Sequence, residues 1–371
     1  MSDTYQGEVG VQASLTEMLG VYSIAELVYS VRNLKTASTF LLDHNFPNMI
    51  ESTAPEVAID VDVGKRRMAP FCSPLVEGKP VASRKFTTNL FKPPYIKDLR
   101  NPDLLKPVRR QIGERIGGAL TPMQRLEANL QWEIEDQIDM IDRRCEWMAA
   151  QALSTGKITV TGDGYPDPIE IDFNRDPALT VALTGTAQWG QAGIYPSDYV
   201  LQWAQTVLQK SGSFPTEITF TTSAWNAFKN DVKVLNSIIW PGKVGGSTIE
   251  LGGRIEQGGV YMGRWGQFDL YLYNDWFVDP DTDEENPMLI DGTILMGGAG
   301  VEGTRAFGMI MDPDFAYGPL AYAPKIWTEK NPALINMLMQ SAPIMIPSRV
   351  NASFAATVMA PGAGVPGPTG V

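Results

Sequence analysis

Between Thr121 and Thr155 the apolar positions fall on one line. Met123, Leu126, Leu130, Ile134, Ile138, Ile141, Cys145, Met148 and Ala152 recur every three or four residues, which draws a single stripe along one helix. Thr121 can cap its start and Pro122 costs nothing in the first turn. No Gly or Pro interrupts Met123–Thr155, and Gly156 follows as a stop. The spacing predicts one helix over 122–155, roughly 50 Å long at 1.5 Å per residue. Its stripe drifts, and no second heptad helix occurs to make a coiled coil, so the helix is expected to lie across a sheet. The period then switches to two. Ile158 and Val160, a turn through Gly162–Pro168, and Ile169, Ile171 and Phe173 predict a hairpin, which is expected to supply that sheet.

Elsewhere the pattern is more broken. Residues 1–55 hold two short apolar pieces, SIAELVYSVRNL and TASTFLLDHNFP, too short for a core of their own. VAIDVDV reads as a strand opening a long two-stranded excursion over 56–95, rich in Pro and basic residues and marginal without a partner surface. Residues 96–120 connect it to the long helix. Ser197 is expected to cap YVLQWAQTVLQKSG, Pro215 to open the strand ITFTT, and Ser223 to cap AWNAFKNDVKVL. GGVYMGRWGQFDLYLYNDWFVDP and ENPMLIDGTILMGG read as successive strands turning at Gly263–Gly266 and at an acidic loop. RAFGMIM opens another, WTEKNPALINMLMQSAPIMIPS returns toward the first domain, and the tail PGAGVPGPTGV is expected to lie outside any core.

The chain has 371 residues and a formal charge of −12, unevenly spread. Between Asp60 and Leu120 stand 13 Lys or Arg against 6 Asp or Glu, a balance of +7 that leaves −19 for the rest. The negative total argues against a general nucleic-acid binder. Cys72 and Cys145 have no paired spacing, which fits a reducing compartment. Neither a signal peptide nor a membrane span is expected.

Catalytic chemistry is sparse. His44 is the single histidine, expected to pack or cap rather than catalyse, so Ser/His/Asp and Cys/His arrangements lack a base. Asp279, Asp281 and Asp283 copy the first alternating ligands of a calcium loop, but Glu284 replaces its glycine and Ile290 its bidentate glutamate. Gly298, Gly300 and Gly303 fit G-x-G-x-x-G, yet TRAFGMIM after them is strand-like rather than helical. No catalytic residue, cofactor site or metal site is expected.

The order of arm, basic excursion, long helix with hairpin, and mixed domain resembles the major capsid protein E family of lambda-like tailed bacteriophages. TASTFLLDHNFP, KITVTGDGYPDPIEIDF, ITFTTSAWNAFK, GGVYMGRWGQFDLYLYNDWFV with MLIDGTILMGG, and RAFGMIMDPD through PKIWTEKNPALINMLMQSAPIMIP carry the resemblance across most of Thr36–Pro347. It implies an α+β Hong Kong 97-type capsid fold. The expected parts are an N-terminal arm (1–55), an extended β-hairpin loop (56–95), and a peripheral domain (96–190) with the spine helix (122–155). An axial domain (191–304), a return to the peripheral domain (305–350), and a C-terminal strand and tail (351–371) follow.

The function implied is that of a major capsid protein assembling into hexamers and pentamers of an icosahedral head around double-stranded DNA, in the virion and first in the host cytoplasm. Expected partners are copies of itself, a separate scaffold protein (no scaffolding extension precedes the arm), a portal, a decoration protein, and DNA in loose contact; no membrane is involved. The alternatives are an encapsulin-like nanocompartment shell and, more distantly, a nucleotide-dependent enzyme. On this reading Lys65, Arg66, Arg67, Lys79, Arg84 and Lys85 of the loop meet a neighbouring subunit. Its spine helix offers Glu127, Glu133, Glu135, Asp136, Asp139, Asp142 and Glu146.

Overall fold

The computed structural model describes residues 39–62, 68–69, 71–75, 77, 86–102, 121–238, 248–256, 258–331 and 333–360. Its longest element is the spine helix Pro122–Thr155. Thr121 and Gln124 close its start as a capping box: the Thr121 hydroxyl accepts from the Gln124 amide at 3.3 Å, and the Gln124 side chain accepts from the Thr121 amide at 2.9 Å. Gly156, at φ +77°, ends it by donating to the Ala152 carbonyl at 3.0 Å. From Ile134 onward the apolar stripe is buried; Met123, Leu126 and Leu130 are half-buried.

The stripe finds its sheet, but the hairpin supplies only part of it. Lys157–Val160, the near strand of a hairpin with Ile169–Asp172, packs against the helix. Pro343–Ile346 and Phe354–Thr357, nearly two hundred residues later, pack against it too, together with the arm helix Phe40–Asn45 and the strand Ala333–Ser341. Local periodicity fixes the helix face, whereas long-range pairing fixes what covers it.

A seven-stranded mixed sheet runs in the order Thr180–Ala182, Phe354–Thr357, Thr293–Gly297, Glu217–Phe220, Phe268–Tyr273, Gly259–Trp265 and Thr248–Glu256. Strand alternation divides its residues between two cores. Ile218, Phe220, Leu270, Ile294, Met296 and Phe354 pack with Val200, Trp203 and Val207 of the helix Pro196–Ser211 and with Trp225 and Phe228 of Thr222–Lys229. Tyr271, Tyr273, Leu295 and Ala355 join Met148 and Ala152 of the spine helix. The strand bulges at Met262, between Tyr261 and Gly263, so Gly263 is not a turn, and the chain reverses at Gly266.

Smaller sheets complete the body. Asn48–Glu51 pairs parallel with Thr304–Phe307, which pairs antiparallel with Pro343–Ile346. Ala323–Lys330, Ala333–Ser341 and Ile96–Arg100 form an antiparallel trio. The excursion begins and ends as the pair Val57–Asp62 and Phe86–Phe91.

Both serine caps are corrected. The helix Pro196–Ser211 starts from Tyr195, with the Ser197 hydroxyl buried and unbonded inside it. Pro196 already fixes the first turn, and the Ser197 amide donates to Asp231 at 2.9 Å. The same Asp231 carboxylate accepts from the Lys233 amide at 2.8 Å, so one acid serves two helix starts. Thr222–Lys229 starts from Thr221, and Ser223 lies inside it, its amide donating to Asp291 at 3.1 Å. Among the described residues no helix is long and apolar enough to cross a membrane.

Candidate assembly site on the spine helix

The spine helix divides its acids between two environments. Glu127 and Asp139 are exposed, Glu135 is half-buried, and Asp136 keeps 59% of its side chain in solvent. Arg100, at the end of the strand leaving the loop, donates to Glu133 at 3.0 Å and to Asp136 at 2.5 Å, and its Nε donates to Asp98 at 2.9 Å. Burial alone would lower the Arg100 pKa, but these hydrogen bonds more than offset it and hold the charge firmly. The strand that leaves the loop is thereby pinned to the helix of its own chain.

Asp142 and Glu146 depart from the expectation that they face a neighbouring subunit. Glu146 is 1% exposed and Asp142 8%. Glu146 accepts from the amides of Leu41 and Leu42 at 2.8 and 3.0 Å and from the Tyr273 hydroxyl at 2.9 Å. Asp142 accepts from the Tyr322 hydroxyl. Both continue the line of Ile138 at four-residue steps, and that placement on the apolar face is the signal in the sequence that they point inward. Burial raises Glu146 to about 7, although the Leu41 and Leu42 amides and Tyr273 favour its anion. Burial likewise raises Asp142 to about 6 against the bond from Tyr322.

The partner of Glu146 is the arm helix Phe40–Asn45, whose Phe40, Leu41 and Leu42 are buried. Its first amides meet the carboxylate at the end where a helix presents unpaired donors. Asp43 pairs with Arg305 at 2.5 Å, and Arg305 also donates to the Phe46 carbonyl at 2.8 Å. His44, between the rings of Phe40 and Tyr271, lies 2.8 Å from Glu217. Sequence reasoning missed Arg100 and Arg305, which no local pattern marks out.

The glycine run holds the same helix. The Gly298 amide donates to Asn45 Oδ1 at 3.0 Å and the Gly303 amide to the Asn45 carbonyl at 2.9 Å. A Cβ on Gly303 would stand 2.4 Å from that carbonyl and from the Phe46 ring. These glycines admit the arm, and a short 3-10 turn, Ala299–Val301, lies where a nucleotide fingerprint has a helix.

Lys65, Arg66, Arg67, Lys79, Arg84 and Lys85 lie outside the described residues. At the foot of the loop Val57 and Phe91 are buried, with Phe91 5.3 Å from Phe173 between ring centres. Toward its far end Met68, Phe71 and Leu75 are 90%, 101% and 94% exposed. Cys72 beside them is exposed and Cys145 is buried, both free thiols. Among the described residues no group of three or more His, Cys, Asp or Glu is placed to hold a metal.

Comparison with known proteins agrees with this layout. The family model for phage major capsid protein E matches residues 23–358. The major capsid proteins of Escherichia phages lambda and N15 are each 25% identical over 338 residues, covering 88% of this chain and 96% of the relative. A crystal structure of a prophage capsid protein from E. coli CFT073 superposes with a TM-score of 0.69 at 19% identity, covering 93% of this chain and 99% of that one. The capsid of Ralstonia phage GP4 gives 0.51 at 13% identity, covering 88% and 93%. The fold is therefore the Hong Kong 97-type capsid fold. With its spine helix, arm and loop in that arrangement, the chain belongs to the phage major capsid protein E family and serves as a capsid subunit of a tailed bacteriophage.

Proposed function

We propose that copies of this chain form hexamers and pentamers of an icosahedral head by laying the loop of one subunit over the spine helix of the next. The supporting observation is a division of labour within one molecule. The loop's apolar residues Met68, Phe71 and Leu75 stand uncovered, and basic residues surround them in sequence, while the spine helix keeps Glu127, Glu135 and Asp139 on its outer side. Opposite charge sets encounter rate and register, and the apolar knobs supply burial. With Asp142 and Glu146 buried inside the chain, the acids on the solvent side of the helix are the ones a neighbour's bases can reach.

Family membership supports the remaining assignments. The seven-stranded sheet and its helices, centred on residues 191–304, form the axial domain, while 96–190 and 305–350 form the peripheral one. Assembly takes place in the host cytoplasm on a separate scaffold protein around a portal, a decoration protein binds outside, and packaged double-stranded DNA touches the wall loosely. The net charge of −12 suits a wall that must release DNA. The subunit carries out no catalysis.

The test is electron microscopy of the expressed protein with and without its scaffold, using wild type and a variant with Arg66, Arg67, Arg84 and Lys85 changed to Glu. Wild type should give closed shells and the variant soluble subunits without shells. Normal shells from the variant would refute the loop-to-spine contact.

A further inference from the structure

The contact between the arm helix and the spine helix is unusually acidic for its burial. Glu146 accepts three hydrogen bonds, two of them from the arm, while Asp142 one turn earlier accepts one at Oδ1 and leaves Oδ2 buried without a hydrogen-bond partner. Among the described residues no lysine or arginine nitrogen lies within 4.0 Å of either carboxylate. The nearby cations are engaged elsewhere: Arg305 with Asp43 of the arm at 2.5 Å, and Arg143 with Asp275 at 3.8 Å. Asp43, Asp139 and Asp275 add negative charge around the pair. Tyr273 and Tyr322 face it as donors, and Cys145 between them keeps its proton because burial pushes the thiol up. On the arm's other side His44 meets Glu217.

Two carboxyl groups a helical turn apart, buried with no cation in contact and only the nearby charge of Arg305 favouring ionisation of Asp142, are costly to ionise together. An unbonded carboxylate oxygen among them gives a proton a place to reside. We propose that Glu146 and Asp142 retain a proton between them while the arm helix is docked, and that losing it loosens the arm from the spine. The arm is then a proton-linked strap joining the spine helix to the seven-stranded sheet, since it touches both at once.

The sign follows from linkage. Undocking takes away the Leu41 and Leu42 amides, which favour the Glu146 anion, and admits water, which favours it more; the carboxyl then ionises in the ordinary range, and the docked state binds the proton more tightly. Docking is therefore favoured on the acid side of neutrality and weakens on the alkaline side, the proton passing to solvent. The raised values of both carboxyls agree with this direction.

Hydrogen–deuterium exchange on the full-length chain, followed in peptides spanning residues 39–47 and corrected for intrinsic exchange, tests it. Protection of the arm amides should fall by about tenfold or more as pH rises through neutrality. Glu146→Gln keeps one acceptor oxygen, exchanges the other for an NH2 that cannot accept from the second arm amide, and cannot titrate, so its arm should be less protected than wild type in acid but show little pH dependence. Asp142→Asn provides a second readout, a reduced fall, should the first variant not fold. His44→Gln removes the arm's other titrating contact and should keep the wild-type fall. Infrared spectra should show a protonated-carboxyl stretch at neutral pH that a variant carrying both Glu146→Gln and Asp142→Asn lacks. Protection that is flat or rises with pH in wild type, a fall that persists in Glu146→Gln, or no protonated-carboxyl band would each overturn the proposal.

Discussion

The guanidinium of Arg175 donates to the carbonyl of Leu153 at 2.5 Å, across the C-terminal end of the spine helix. It also donates to the Ser154 carbonyl at 2.6 Å and to the Thr180 hydroxyl at 2.5 Å. Burial lowers Arg175 to about 10, so the group remains charged at neutral pH and faces the negative end of a long helix. Its neighbour Gly156 leaves room for it: a Cβ there would stand 2.9 Å from Arg175 Cβ.

Arg175→Met should therefore destabilise the chain by about 2–4 kcal/mol, because buried carbonyls lose their donor while the apolar volume is largely kept. Urea denaturation of the purified chain measures this. An unchanged midpoint would show that water caps the helix equally well.

The arm helix gives a second prediction from crowding. Gly303→Ala would drive a Cβ within 2.4 Å of the Asn45 carbonyl, and Gly259→Ala would place one 2.5 Å from the Phe40 ring. Backbone cannot step aside as a side chain can, so Gly303→Ala should cost about 2 kcal/mol or more and open the segment around Phe46 to protease. Gly164→Ala is the control. Its φ of +85° in open space should cost only about 1 kcal/mol and leave the arm intact.

Stability should also depend on pH with a definite sign. Burial raises Glu146 from 4.5 to about 7 and Asp142 from 3.8 to about 6. The folded chain holds these protons more tightly than the unfolded one. Their contribution is complete below the ordinary carboxylate range and is lost as pH rises through the folded values. Asp176, lowered by the hydrogen bond from Lys210, and Asp312, lowered by the amide of Asp314, act oppositely, their stabilisation being lost on strong acidification. Denaturation midpoints should thus peak at about pH 4 and decline toward about pH 7. Glu146→Gln should remove on the order of 3 kcal/mol of that decline at most. A profile flat from pH 5 to 8 would contradict the burial argument.

Much of this was legible in the residues, and the exceptions share a cause. Thr121, Pro122 and Gly156 marked the ends of the spine helix because caps and breakers act within a turn. The hairpin strands around Ile158 and Ile171 followed from period-two alternation. The surface under the spine helix did not, because Ile344 and Ala355 reach it from the far end of the chain. Asp142 and Glu146 were read by charge, when their four-residue spacing from Ile138 placed them on the buried face. Arg100 and Arg305 gained meaning only once folding brought Glu133 and Asp43 beside them.

The outer acids of the spine helix give the last prediction, which separates a working assembly surface from solvated charge. Exposed charges are screened within about 8 Å at physiological salt, so a contact they guide should form more slowly as salt is raised. Reversing Glu127 and Asp139 to Lys should slow wild-type-like assembly several-fold at low salt, as followed by light scattering, and flatten its salt dependence. Glu133→Lys acts differently, because it strikes Arg100 of the same chain and should lower stability as well. Assembly should recover when subunits carrying Glu127→Lys and Asp139→Lys also carry Arg84→Glu and Lys85→Glu, since each loop then meets a spine of opposite charge. Loss of assembly without that recovery would place the partner of the spine helix somewhere other than the loop.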